Sequence, residues 1–120
     1  MATFNKQRLS GSTDGKAIKV TGTGTGSTVT VHTAVSGTTL SDNYDEIWLY
    51  ANNTSGSNVK LTIEWGTATA ADGNIELTVT AEAGLVLVLP GLILQNGLTV
   101  KAFAATADVI LLTGWVNRIS

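Results

Sequence analysis

One histidine, His32, is the only imidazole this chain can offer as a base or a metal ligand. It lies in Thr28-Val29-Thr30-Val31-His32-Thr33, on the face opposite Val29 and Val31. A lone histidine excludes a multi-histidine metal centre, and the absence of cysteine removes thiolate ligands, thiol nucleophiles and disulfides together. No nucleophile motif accompanies His32, so a solvent-facing or hydrogen-bonded structural role is expected of it. Carboxylates gather at Asp42, Asp45 and Glu46 and again at Asp72 and Glu76. Convergent carboxyl oxygens are what glycosidases and calcium sites require, but the spacing matches neither an EF-hand loop nor another cation motif. The preferred reading is that Asp42 and Asp72 shape turns, Asp45 and Glu46 open a strand, and Glu76 decorates a solvent-facing strand surface. No catalytic residue, metal ligand or cofactor is expected.

The run Thr21-Gly22-Thr23-Gly24-Thr25-Gly26-Ser27 has the glycines of a phosphate-cradling loop. It lacks the Lys-Ser/Thr of a P-loop and leads into strand-like sequence instead of a helix, so it reads as a flexible connector. Trp48 and Tyr50 share one strand face, while Trp65 and Trp115 continue the apolar faces of their strands. Aromatics on an exposed sheet can stack on sugar rings, which keeps Trp48 and Tyr50 open as a carbohydrate site; the alternative is that they anchor a core or an interface.

These side chains need a scaffold, and composition points to strands. The chain has 120 residues, 43% hydrophobic and 13% charged, enough for one core and one domain. Threonine, valine and glycine are abundant, and helix-forming runs are missing. Val59, Leu61, Ile63 and Trp65 alternate with Lys60, Thr62 and Glu64, and Ile75, Leu77 and Val79 repeat the period of two. Residues 17–20, 28–35, 45–51, 58–65, 74–80, 85–89, 98–105 and 108–117 are predicted as strands. Turn signals fall at Asp72-Gly73, Pro90-Gly91 and Asn96-Gly97, with a polar loop over residues 52–56. Short strands at this spacing predict an all-β sandwich or barrel of about eight strands, of which the antiparallel sandwich is the preferred reading.

Residues 1–16 show no strand pattern, and Ser10-Gly11-Ser12-Thr13-Asp14-Gly15 reads as a flexible link. They are expected to form an extended N-terminal arm before a body spanning residues 17–120. Phe4 and Leu9 would dock into a partner, and deletion of residues 2–14 would leave the body folded. Two segments, residues 85–89 and 109–112, are apolar on both faces. A central strand covered on both sides would explain them, as would a subunit interface; the latter predicts self-association through Leu85, Leu87, Leu89, Leu92, Ile110 and Leu112. A net charge of −2 offers no field to nucleic acid or an anionic membrane surface. The opening residues lack the apolar stretch of a secretory signal, and the longest apolar run, residues 85–94, is too short to span a bilayer.

Four segments carry a family resemblance: Val31-His32-Thr33-Ala34-Val35-Ser36-Gly37-Thr38, Asp45-Glu46-Ile47-Trp48-Leu49-Tyr50-Ala51-Asn52-Asn53, Val59-Lys60-Leu61-Thr62-Ile63-Glu64-Trp65-Gly66 and Gly114-Trp115-Val116-Asn117-Arg118-Ile119. Together the chain resembles the capsid decoration, or cement, proteins of short-tailed bacteriophages, including phages of cyanobacteria. The resemblance implies a β-sandwich or jelly-roll body, often a homotrimer, on the outer surface of the head. There it would clamp neighbouring major capsid proteins against internal DNA pressure. On this expectation Phe4, Lys6, Arg8 and Leu9 of the arm contact the capsid, and the protein is not an enzyme. The alternatives are a carbohydrate-binding module or another virion-surface part, a head fibre or tail component.

Overall fold

The computed structural model describes residues 3–39 and 43–120, which form nine β-strands and one short 3-10 turn. The strands are β1 (Phe4–Arg8), β2 (Ile18–Lys19), β3 (Val29–Thr33), β4 (Tyr44–Asn53), β5 (Val59–Trp65), β6 (Asn74–Val79), β7 (Val86–Leu94), β8 (Thr99–Ala104) and β9 (Ile110–Ile119); the turn is Thr25–Ser27. One sheet has the order β1-β9-β4-β7, with β2 also paired to β9, and the other has the order β3-β8-β5-β6. Every pairing is antiparallel. The chain is therefore all-β, two antiparallel sheets enclosing one core.

The pairings nest. β5 pairs with β6, β4 with β7, β3 with β8 and β2 with β9, so a long hairpin is folded over with successive pairs falling alternately into the two sheets. Along β4 burial follows the period of two: Asp45, Ile47, Leu49, Ala51 and Asn53 face inward, and Glu46, Trp48, Tyr50 and Asn52 are half-buried outside. Opposite them, Leu61 pairs with Ala104 and Ile63 with Ala102, large against small, which lets the inner faces interdigitate. At the β7–β8 corner, Asn96 and Gly97 hold φ of 63° and 65°, and Leu98 N–H donates to Gln95 at 3.3 Å; the Asn-Gly pair makes the hairpin turn its residues favour.

Three expectations are corrected here. The N-terminal segment is not an extended arm: Phe4–Arg8 forms β1, in register with Ile119 to Trp115 of β9, and Leu9 enters the core at 1% exposure. A polar edge strand carries no apolar alternation, which is why its sequence hid it; removing residues 2–14 would open the core. Pro90-Gly91 is not a turn but lies inside β7, where the register to β4 slips between Ile47 and Trp48 and again between Leu49 and Tyr50. Gly91, at φ 78°, supplies the left-handed residue such a bulge needs. The Thr/Gly run is not a flexible connector either. It closes so tightly that a Cβ on Gly22 would lie 1.6 Å from the Ser27 carbonyl oxygen. Gly22 accepts from Ala104 N–H at 3.1 Å and Thr25 Oγ1 donates to Glu64 Oε2 at 2.5 Å, so this loop covers the outside of the second sheet.

Candidate functional site

His32, expected on the outer side of its strand, is buried at 1% exposure. The β3–β8 register slips between Thr30 and His32, and this bulge breaks the alternation, so that Val31 and His32 are buried in succession. Asp45, expected merely to open a strand, is wholly buried. Its Oδ2 accepts from His32 Nε2 at 2.7 Å, from Arg118 Nη2 at 2.9 Å and from Val35 N–H at 3.2 Å, and its Oδ1 accepts from Arg118 Nε at 2.8 Å. Asp45 and Arg118 are direct cross-strand partners in β4 and β9. Burial pushes the Asp45 carboxyl up, but the Arg118 guanidinium and the His32 ring, bonded to it and attracting its charge, together bring it below the usual carboxylate range. The bond to Asp45 raises Arg118 in turn, partly offset by burial.

Ser10, His32 and Asp45 are thereby brought together, a trio that elsewhere does acyl transfer. Here the wiring is different. Ser10 donates its backbone N–H to His32 Nδ1 at 2.9 Å, and a backbone amide can only donate, so Nδ1 carries the lone pair and Nε2 the hydrogen given to Asp45. The ring has no nitrogen left to take a proton from a substrate. The Ser10 hydroxyl accepts from Thr33 N–H at 2.7 Å. The group is a clasp that ties the segment after β1 to β3 and β4. Beside it lies an open cleft of about 760 Å³ whose lining includes Lys6, Arg8, Ser10, Asp14, His32 and Arg118.

The outer face of the first sheet carries a row of rings. Trp48 of β4 and Trp115 of β9 stack with centroids 5.7 Å apart and planes within 12°, and Tyr50 stacks on Trp115 at 6.0 Å. Lys6 Nζ of β1 lies 4.7 Å from the Trp115 centroid. Since β1 and β4 flank β9 on opposite sides, Trp115 sits between Lys6 and Trp48. Trp48 in turn lies against Gly91 of β7, where a Cβ would come within 2.8 Å of Cζ2. Glu46 Oε1 accepts from Trp48 Nε1 at 2.8 Å and from Asn117 Nδ2 at 3.2 Å. The row thus crosses β1, β9, β4 and β7, each aromatic pair worth about 0.5–1.5 kcal/mol beyond its buried area. Trp48 and Tyr50 share a face as their spacing requires. Trp115 was not paired with them in the sequence because it comes from another strand, and only the β4–β9 register aligns it opposite Trp48.

The remaining candidates divide by exposure. Leu85, Leu87 and Leu92 are exposed at 64, 45 and 38%, and Ile93 joins them at 57%. Leu89, Ile110 and Leu112 are wholly buried in the chain's own core and cannot form an interface; β9 is a central strand, which is the other explanation for its doubly apolar sequence. In β1, Phe4 is 73% exposed and Lys6 and Arg8 lie on the surface, while Leu9 is withdrawn. Glu76 pairs with Lys60 at 3.2 Å on the surface and Asp72 sits in its turn, whereas Asp42 lies outside the described residues. Comparison with known proteins finds no family model that matches the chain, no curated protein similar to it and no matching solved structure.

Proposed function

We propose that this chain is a non-catalytic structural protein of a tailed-phage virion that decorates and stabilises the capsid, bound outside the head across neighbouring major capsid proteins and self-associated as a homotrimer. The observation that carries the reading is β7, an edge strand which, with the residue before it, turns Leu85, Leu87, Leu92 and Ile93 to solvent. An uncovered apolar edge favours association, so a neighbouring copy is its natural cover. Pro90 and two bulges roughen the backbone there, and the contact is side chain against side chain instead of an added strand. Read as a jelly roll, the nested pairing suits viral capsid and lectin domains alike, so the surfaces and not the fold make the choice. The clasp around His32, with both ring nitrogens engaged, is consistent with a protein that does no chemistry. Neither nucleic acid nor membrane is among its partners in this reading.

Light scattering on the purified protein, followed by addition to capsids stripped of decoration, tests the proposal. A trimer that reoccupies the capsids supports it; a monomer that leaves them bare overturns it. A second reading, a carbohydrate-binding module, is favoured by the gathering of Trp48, Tyr50 and Trp115 beside Glu46 and Asn117, although the rings stack on one another. Glycan-array binding that disappears in Trp48→Ala or Tyr50→Ala would move the assignment there.

A further inference from the structure

The sheet edges differ in how far they are open. The edge of β3 is closed by Gly11 N–H on the Val31 carbonyl at 2.9 Å and by Ser10 Oγ on Thr33 N–H at 2.7 Å. That of β7 is interrupted by Pro90 and its bulges, and β6 presents acidic Glu76. The edge of β1 is regular and basic. Thr3 and Ser120 exchange backbone hydrogen bonds at 2.8 and 3.0 Å, which sets the phase of the β1–β9 ladder. With the register Phe4↔Ile119 to Arg8↔Trp115, Asn5 and Gln7 bond to β9, while Phe4, Lys6 and Arg8 turn N–H and C=O away from it. Among the described residues, no backbone group from outside the strand ladders meets these outward ones. The cleft beside this edge brings together Lys6, Arg8 and Arg118 against Asp14. Arg8 uses only Nε, on the Ser12 carbonyl at 3.1 Å, so its terminal nitrogens have no protein partner among the described residues.

We infer that the edge of β1 binds an extended, acidic segment of a partner protein by strand addition. The partner's backbone pairs with Phe4, Lys6 and Arg8, and its carboxylates, on alternate residues and so on one face, meet Lys6 and Arg8. This deepens the capsid-decoration reading by giving the partner contact a chemistry, but it requires only a protein partner. Peptide binding therefore tests the edge, and capsid occupancy tests the reading.

The probe is a dye-labelled synthetic peptide alternating Thr and Glu, with a Thr-Lys counterpart, followed by fluorescence anisotropy on the full chain. The Thr-Glu peptide is expected to bind, more weakly as salt rises, and to slow hydrogen exchange at the Lys6 and Arg8 amides. Lys6→Pro removes an outward N–H and leaves the β9 ladder whole. It should weaken binding about five- to tenfold beyond Lys6→Gln, which removes only the charge. Absence of binding, equal binding of the Thr-Lys peptide, or unchanged exchange at Lys6 and Arg8 would overturn the inference; the exchange measurement on the unaltered protein decides even where the proline variant does not fold. Self-association that Lys6→Pro abolishes, without peptide binding, would overturn it in favour of a second copy of the chain.

Discussion

Asp45 shows how much one side chain can organise when it is buried with its partners. A carboxylate taken out of water is costly unless charge and hydrogen bonds replace its hydration, and Arg118, His32 and the Val35 amide do so here. Removing Arg118 leaves that charge under-compensated, so Arg118→Met is expected to cost about 3–5 kcal/mol, read as a fall in the urea midpoint. The pH dependence has a definite sign. The folded Asp45 lies below its ordinary value, so its contribution is fully present above the unfolded carboxylate pKa, and it is lost as pH falls through the lower, folded value. In Arg118→Met the upward push of burial is less opposed, so the folded value moves up toward the unfolded one and the share of stability lost on acidification should be smaller than in the unaltered protein. An acid-dependent loss of unchanged size, read as the difference in urea unfolding free energy between neutral and acid pH, would show that Arg118 does not hold the carboxyl ionised. Asn53 is a second buried polar residue of this kind: its side-chain NH₂ donates to Ser57 and Val79 carbonyls at 2.8 and 2.9 Å, and its Oδ1 accepts from Ser55, which pins the loop after β4.

At the scale of elements, β1 is the strand whose standing changes what the chain can do. Its sequence, Phe-Asn-Lys-Gln-Arg, has no apolar face to bury; the ladder to β9 and the docking of Leu9 hold it in place. Leu9→Ala should therefore cost about 2–5 kcal/mol, as for a fully buried leucine. Phe4→Ala, at a position 73% exposed, should stay within about 0.5 kcal/mol. Urea unfolding of the two variants separates a core-anchored strand from a free arm, for which both changes would be silent. The bulged β7 teaches a related lesson. Pro90 and Gly91 resemble a turn when read locally, yet a bulge absorbs both without ending the strand, and the Trp48 ring covers the space that a side chain at Gly91 would fill.

For the whole molecule, the deciding question is whether its apolar surface is covered by its own core or by another chain. Leu87 and Leu89 are two residues apart in β7, yet the first is 45% exposed and the second wholly buried. Leu87→Asp is expected to leave the circular dichroism of the sheets intact while lowering the mass seen by light scattering. Leu89→Asp should unfold the chain, because it places an unpaired carboxylate in the core. If Leu87→Asp changes neither mass nor fold, the apolar edge is not an interface and the trimer loses its support.

Composition and period-two alternation determined much by themselves: an all-β chain, two-faced strands such as β5 and β6, and the Asn96-Gly97 turn, since all of these depend on residues adjacent in sequence. Trp48 and Tyr50 could be put on one face for the same reason. The tertiary structure alone decided that Trp115 completes their row, that Asp45 meets both His32 and Arg118, and that Ile110 and Leu112 are core residues. Each depends on the register between strands far apart in the chain, and on bulges in β3 and β7 that shift side chains from one face to the other. A slip of one residue reverses every inside and outside assignment, and no local pattern records it.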